Sequence, residues 1–168
     1  MIAALLCNGP SRFSYFNSEE NYSVVAGCNV PWTNVDWTVV LDEEVVQKWG
    51  DQPNLITVPA YFSKHAWMET DAIRKRPQFE KYFLGLVYPG KEFDTSGHVA
   101  TSVLIDKGYK EIHVYGADSQ WHDTLESASH AMFTNHPDPD SNSHIQGWRN
   151  RWKQIQDGNP DVKIIFKR

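Results

Sequence analysis

The stretch from residue 94 to residue 118 constrains the fold of this chain more than any other. A small polar loop leads into an apolar-periodic run over residues 98–107, which Gly108 follows, and a short apolar strand comes next. Thr95 or Ser96 can cap a helix, because a hydroxyl accepts a hydrogen bond from the first free helical N–H groups, and Gly108 is typical of a helix end. The stretch is therefore predicted to be a loop–helix–strand unit, the building block of a parallel α/β sheet.

Apolar segments and helical patterns alternate along the rest of the chain. Strands are predicted at residues 2–6, 23–26, 36–41, 55–58, 83–88, 112–116 and 162–166, and helices at 43–49, 61–76, 98–107 and 144–156. Residues 119–141 carry little periodicity, and an insertion of this kind after a strand is usually a lid or binding loop. The sequence therefore predicts an α/β fold in one domain over residues 1–168, with a mostly parallel sheet flanked by helices.

Charge and cysteine content narrow the classes of partner and compartment. The net charge of −5 does not indicate broad attraction to nucleic acid, although Arg149, Arg151 and Lys153 form a local basic patch. Cys7 and Cys28 each lie near the end of a predicted strand, so they are expected to be neighbours that remain free thiols, as in a reducing compartment. No stretch is long enough to span a membrane, and no signal peptide is expected. A cytoplasmic protein is predicted, and its many aromatic residues are compatible with a homo-oligomer.

Small polar residues follow several of the predicted strands. Carboxyl ends of parallel strands meet at one edge of a sheet, where ligands of such folds bind, so these residues are expected to line one crevice. The residues at strand ends are Asn8, Gly9, Pro10, Ser11, Asn29, Asp42 and Asp118, and Thr95, Ser96 and Gly97 at a helix start are expected to join them. Asn offers both donor and acceptor to a base or sugar, while a glycine at a helix N-terminus suits a phosphate. Each of these residue types is also common in ordinary turns, so the prediction rests on their expected meeting at one edge of the sheet.

Common nucleotide and metal motifs do not explain this pattern. No Gly-x-Gly-x-x-Gly follows the first strand, and no Gly-Lys-Ser/Thr occurs in the chain. The histidines and aspartates of the insertion follow no well-defined ligand spacing: His122, Asp123, His130, His136, Asp138 and Asp140. We therefore expect neither a metal nor a cofactor.

His144 stands apart from the other histidines because it lies at the start of a predicted helix. The helix dipole lowers the affinity of such a ring for a proton, which keeps the neutral imidazole available as a base near neutral pH. The alternative is an ordinary surface histidine.

The ordered set of motifs resembles one bacterial lipooligosaccharide sialyltransferase family, whose fold is Rossmann-like. The likeness rests on Asn-Gly-Pro-Ser at 8–11, Cys-Asn at 28–29, Thr-Ser-Gly at 95–97, the Gly-x-Asp strand exit at 116–118 and Asn-Ser-His at 142–144. It implies transfer of sialic acid from CMP-sialic acid by a metal-independent, inverting reaction. Archaeal hydroxymethylpterin diphosphokinase-like proteins share the first and fourth motifs and offer a competing resemblance.

The resemblance assigns roles to individual residues. Asn8, Gly9, Ser11, Asn29, Ser96 and Gly97 would surround the nucleotide, and His144 would be the general base that deprotonates the acceptor hydroxyl. The family places tyrosines after its Gly-x-Asp strand to support the departing phosphate, whereas this chain has Ser119, Gln120 and Trp121 there, so Gln120 or His122 would substitute. Asp42 stands where the family uses Asn. A non-catalytic nucleotide-binding module and a metal-dependent, diphosphokinase-like enzyme remain as alternatives.

Overall fold

A computed structural model describes residues 1–69, 80–123 and 142–168, and in these residues seven strands form one sheet in which every neighbouring pair is parallel. The strands are β1 (Ile2–Leu6), β2 (Val24–Cys28), β3 (Trp37–Val40), β4 (Ala60–Ser63), β5 (Phe83–Val87), β6 (Glu111–Tyr115) and β7 (Lys163–Lys167). The helices are α1 (Glu43–Asp51), α2 (Lys64–Glu69), α3 (Ser96–Asp106) and α4 (Asn142–Gly158), with 3₁₀ helices at Pro10–Asn17 and Asp118–Gln120. The predicted Rossmann-like α/β class is confirmed.

The sheet order is β5-β4-β3-β2-β1-β6-β7, so the chain builds outward from β1 and then crosses to its other side. Strand β1 is apolar on both faces, as expected for a strand covered from both sides. Ala3 and Leu5 pack with α3 and α4. Ala4 and Leu6 pack on the opposite face beside the first 3₁₀ helix. Helices α1 and α2 cover that same face next to β3 and β4.

The prediction is wrong for the segment around Pro59. Residues 55–58 form no strand, and the predicted helix from residue 61 begins as β4 and becomes helical only at Lys64. The backbone is extended after Pro59, and the Pro59 carbonyl accepts a hydrogen bond from the Thr38 N–H at 3.0 Å. Tyr61 and Phe62 are aromatic residues that suit a pleated, half-buried surface, and pairing with β3 outweighs their helical spacing.

Parts of two other predictions lie outside the described residues. These are the end of the predicted helix, from residue 70 to residue 76, and the insertion from residue 124 to residue 141. The candidate ligands His130, His136, Asp138 and Asp140 belong to the second stretch. Among the described residues, no helix has both the length and the apolar character needed to cross a bilayer.

Candidate functional site

The direction in which strands are added reverses at β1. Strands β2 to β5 lie on one side of β1, and β6 and β7 lie on the other. In open parallel sheets, a crevice forms outside the carboxyl ends of the strands at such a switch point, and ligands bind there. The residues that follow β1 and β6 are therefore the first to consider as a binding site.

The loop after β1 runs tightly alongside the end of β6. The Cys7 N–H donates to the Tyr115 carbonyl and the Gly9 N–H donates to the Gly116 carbonyl, both at 2.8 Å. A Cβ on Gly9 would lie 2.3 Å from the Gly116 carbonyl oxygen, so only glycine fits this position. Gly116 itself has φ of +74°, a backbone conformation that favours glycine. The two glycines allow the two loops to meet.

Asp118 fixes the far end of the β1 loop. Its carboxylate is fully buried and accepts two hydrogen bonds from Ser11, one from the N–H at 2.7 Å and one from the hydroxyl. Two of the predicted site residues thus meet across 107 positions of sequence. Because their polar groups are directed at each other, their role in this structure is to shape the loop.

Asn8 and Asn29 connect the ends of β1 and β2 with α3. The Asn8 amide donates to the Cys28 carbonyl at 3.1 Å, while its Oδ1 is buried without a hydrogen-bond partner. Asn29 adopts φ of +54° and its Oδ1 accepts from the Ser96 hydroxyl at 3.2 Å. An unpaired buried oxygen is an acceptor that a ligand N–H or O–H group can satisfy.

The N-terminus of α3 lies beside the ends of β1 and β2. Thr95 caps the helix as predicted, and the first-turn N–H groups of Ser96 and Gly97 have no acceptor within the helix. A Cβ on Gly97 would lie 3.0 Å from Cys7 Sγ and 3.5 Å from the Trp152 ring. Gly97 therefore lets α3 pack closely on the end of β1.

His98 ties this N-terminus to α4. It is only 1% exposed, and its Nδ1 accepts from the Thr95 N–H at 3.0 Å while its Nε2 bonds the Trp148 carbonyl at 3.2 Å. These contacts fit the neutral ring with its proton on Nε2. Burial is the main cause that lowers the pKa of His98 to about 4, opposed by the Trp148 hydrogen bond. His98 was not predicted as a site residue, although its position three residues after the cap could have indicated a capping box.

His144 lies at the start of α4, as predicted, and is exposed. Its ring centroid is 5.9 Å from that of Phe93, two residues before Thr95. Helix α4 holds this position tightly, because a Cβ on Gly147 would lie 2.5 Å from the Phe93 ring. The predicted base therefore lies beside the segment that leads into the N-terminus of α3.

In the part of the chain that the structure describes, three predicted residues make no hydrogen bond to this set. Asp42 follows β3 and is exposed at the N-terminus of α1. Pro10 is exposed at the start of the first 3₁₀ helix. Gln120 is half-buried in the 3₁₀ helix that follows β6, and its amide nitrogen is buried without a partner in the described part of the chain.

The two cysteines are free thiols and neighbours, as predicted. Their sulfur atoms are 3.8 Å apart at the ends of β1 and β2. The contact with Cys7 and full burial both raise the pKa of the Cys28 thiol. Cys28 is therefore held as a neutral donor to Cys7.

Two residues near the crevice were missed by sequence reasoning. Arg12 directly follows the Asn8–Ser11 motif, and a cation next to a polar strand-end loop was the available signal. Trp32 lies in the connection between β2 and β3, and its Nε1 donates to the Cys7 carbonyl at 3.3 Å. Aromatic residues are too numerous in this chain for Trp32 to have stood out.

The local basic patch is neutralised by neighbouring carboxylates. Arg149 pairs with Asp123 at 3.0 Å, Arg151 pairs with the buried Asp94 at 2.5 Å, and Lys153 bonds Asp157 one turn along α4. Within residues 1–69, 80–123 and 142–168, no group of three His, Cys, Asp or Glu side chains is arranged to hold a metal ion.

Compared with protein-family models, curated proteins and solved structures, the chain matches none of them.

Proposed function

We propose that this protein binds a nucleotide sugar in the crevice at the carboxyl ends of β1, β2 and β6 and transfers the sugar with His144 as general base. One observation carries the proposal. At the switch point, Ser11 pairs with Asp118, Ser96 pairs with Asn29, and Asn8 donates to the carbonyl of Cys28, so four separate parts of the chain meet there. This is the position at which parallel α/β sheets bind nucleotides.

The chemistry assigned to each wall follows from its groups. The first-turn N–H groups of α3 are suited to a phosphate, and they would stabilise the charge that develops on the departing nucleotide. The unpaired Oδ1 of Asn8 would accept from the base or the sugar. His144 is exposed beside this wall and would take the proton of the acceptor hydroxyl as it attacks the sugar. The resemblance to sialyltransferases suggests a CMP-sialic acid-like donor.

The experiment combines a ligand panel with one substitution. Thermal shift with CMP, UMP, AMP, GMP and nucleotide sugars is expected to reveal the bound base, because a ligand of the native state raises the melting temperature. His144→Ala should leave nucleotide binding unchanged and lower sugar transfer or donor hydrolysis by roughly 10²- to 10⁴-fold, the usual contribution of a general base. His65→Ala is the matched control, since His65 is an exposed histidine that pairs with Glu43.

Unchanged turnover in His144→Ala would rule out the base. A second candidate, a non-catalytic nucleotide-binding module, is favoured by the absence of tyrosine in the Asp118–Gln120 helix and by the use of the Ser119 carbonyl to bind Arg149. It predicts nucleotide binding without turnover of any sugar donor in the wild-type protein. Activity that disappears in chelator would instead favour a diphosphokinase-like enzyme.

A further inference from the structure

Arg12 is the first residue beyond the Asn8–Ser11 motif, and its side chain returns over that loop. Its Nη1 donates to the Asn8 carbonyl at 2.9 Å and more weakly to the Gly9 carbonyl at 3.4 Å. The guanidinium carbon lies 4.4 Å from the centre of the Phe13 ring and 5.8 Å from that of the Trp32 ring. A planar cation held between carbonyls and aromatic rings has a defined orientation.

The charge of Arg12 is not matched by an ion pair. In the described part of the chain, Arg149 and Arg151 both pair with carboxylates, whereas Arg12 has none. Asp118 is the nearby acid, but both of its oxygens accept from Ser11. Burial lowers the pKa of Arg12, and this effect is larger than the opposing attraction of Asp118. Arginine nevertheless stays protonated in proteins, so an unpaired positive charge remains.

This charge lies on the opposite side of the β1 end from the N-terminus of α3. The backbone carbonyl of Cys7 accepts from Trp32, the residue that stacks near Arg12. The side chain of Cys7 faces Gly97, where the Cβ of any other residue would lie 3.0 Å from the sulfur. Cys7, the residue that follows β1, therefore lies between Trp32, which is beside Arg12, and the N-terminus of α3.

We propose that Arg12 binds the phosphate of the nucleotide in this crevice, an inference that rests on the proposed function. A guanidinium presents donors in a fork that matches phosphate oxygens, and Arg12 still has donors that none of its described contacts uses. Phe13 and Trp32 hold the group in place, and the carbonyls of Asn8 and Gly9 tie it to the loop. The structure therefore gives the crevice a fixed cation in addition to a helix N-terminus.

The test compares nucleoside monophosphates with their nucleosides by titration calorimetry at low salt. AMP, CMP, GMP and UMP are each paired with the matching nucleoside, and the ratio of the two affinities measures the contribution of the phosphate. In Arg12→Gln this ratio should fall roughly 10- to 100-fold, as expected for loss of a charge-assisted hydrogen bond, while nucleoside affinity stays at the wild-type value. Lys153→Gln is the control, because it removes one positive charge from an exposed position of α4 where Lys153 pairs with Asp157.

The outcomes separate this inference from the proposed function. Wild-type protein that binds none of the four nucleotides overturns both. Nucleotide binding with an unchanged affinity ratio in Arg12→Gln overturns the role of Arg12 alone. Equal losses of nucleoside and nucleotide affinity also overturn it, because Arg12 would then only stabilise the loop. If Arg12→Gln does not fold by circular dichroism, the ratio is measured in Arg12→Lys, which keeps the charge without the fork. A ratio about threefold or more below wild type then supports the inference, and equality with wild type overturns it.

Discussion

At the scale of single residues, Asp118 holds the β1 loop against the segment that follows β6. Asp118→Asn keeps the size of the side chain but places an NH₂ group opposite one of the two Ser11 donors. An unsatisfied buried donor costs about 1–3 kcal/mol, so the free energy of unfolding in urea should fall by that amount. Ser11→Ala removes the hydroxyl and should cost about 1 kcal/mol.

Asp123→Asn is the control for this experiment, because the Asp123 side chain is 87% exposed and pairs with Arg149 at the surface. Its cost should stay within about 0.5 kcal/mol. A double-mutant cycle between Ser11 and Asp118 measures their coupling. Equal costs for Asp118→Asn and Asp123→Asn would show that the Ser11 contacts do not stabilise the loop.

At this scale, sequence reasoning proposed candidate site residues but could not identify their partners. Asn8, Ser11 and Asn29 were predicted from the chemistry of strand ends, and Ser96 from that of a helix start. In the structure Ser96 donates to Asn29, Ser11 donates to Asp118, and Asn8 donates to the Cys28 carbonyl. The pairing of Ser11 with Asp118 depends on β6 lying next to β1, which no local pattern encodes. Arg12 was missed because its importance comes from rings and carbonyls that surround it only in the folded chain.

At the scale of elements, His98 links α3 to α4 through a neutral ring. Its folded pKa is about 4, against 6.5 for an unperturbed histidine, so only the unfolded state takes up a proton between these values. The stabilising contribution of neutral His98 is therefore fully present above about pH 6.5. The free energy of unfolding should decline by about 3 kcal/mol as the pH falls from 6.5 to 4. Urea unfolding at a series of pH values measures this decline.

His98→Asn is the informative variant for the same measurement. The Asn oxygen can still accept a hydrogen bond from Thr95, but the side chain does not titrate. The free energy of unfolding of the variant should therefore lack the part of the decline below pH 6.5 that comes from His98. His65→Asn, at an exposed position, should keep the wild-type dependence. Identical pH profiles for wild type and His98→Asn would contradict a buried neutral ring.

The error around Pro59 belongs to this scale as well. Phe62 and the residues after it show helical spacing, but β4 is decided by pairing with β3 and by the ring contacts of Phe62 with Trp49 and Trp67. Ile56 is fully buried without belonging to a strand, so apolar character alone misplaced the element. Tertiary packing overrides a short local preference when the segment is only a few residues long.

At the scale of the whole molecule, the sheet is protected most strongly at its centre. Strand β1 lies between β2 and β6 and is covered on both faces, whereas β5 and β7 are edge strands with partly exposed residues. Amides of β1 and β6 should exchange at least about tenfold more slowly than those of β5 and β7, because only global unfolding opens the centre. Hydrogen exchange followed by mass spectrometry measures this, and equal protection at centre and edges would contradict it.

The sequence by itself determined the alternation of strands and helices, the caps and turns that bound them, and the α/β class. These features depend on hydrophobic periodicity and on the backbone preferences of nearby residues, which are local. Only the tertiary structure decided that β1 and β6 are neighbours and that Asp118 accepts hydrogen bonds from Ser11. The same holds for the position of Arg12 over the β1 loop and for the separation of Asp42 from these residues. Strand order and the contacts that follow from it depend on packing between segments far apart in the chain, and residues 94–118 meet the β1 loop only through that packing.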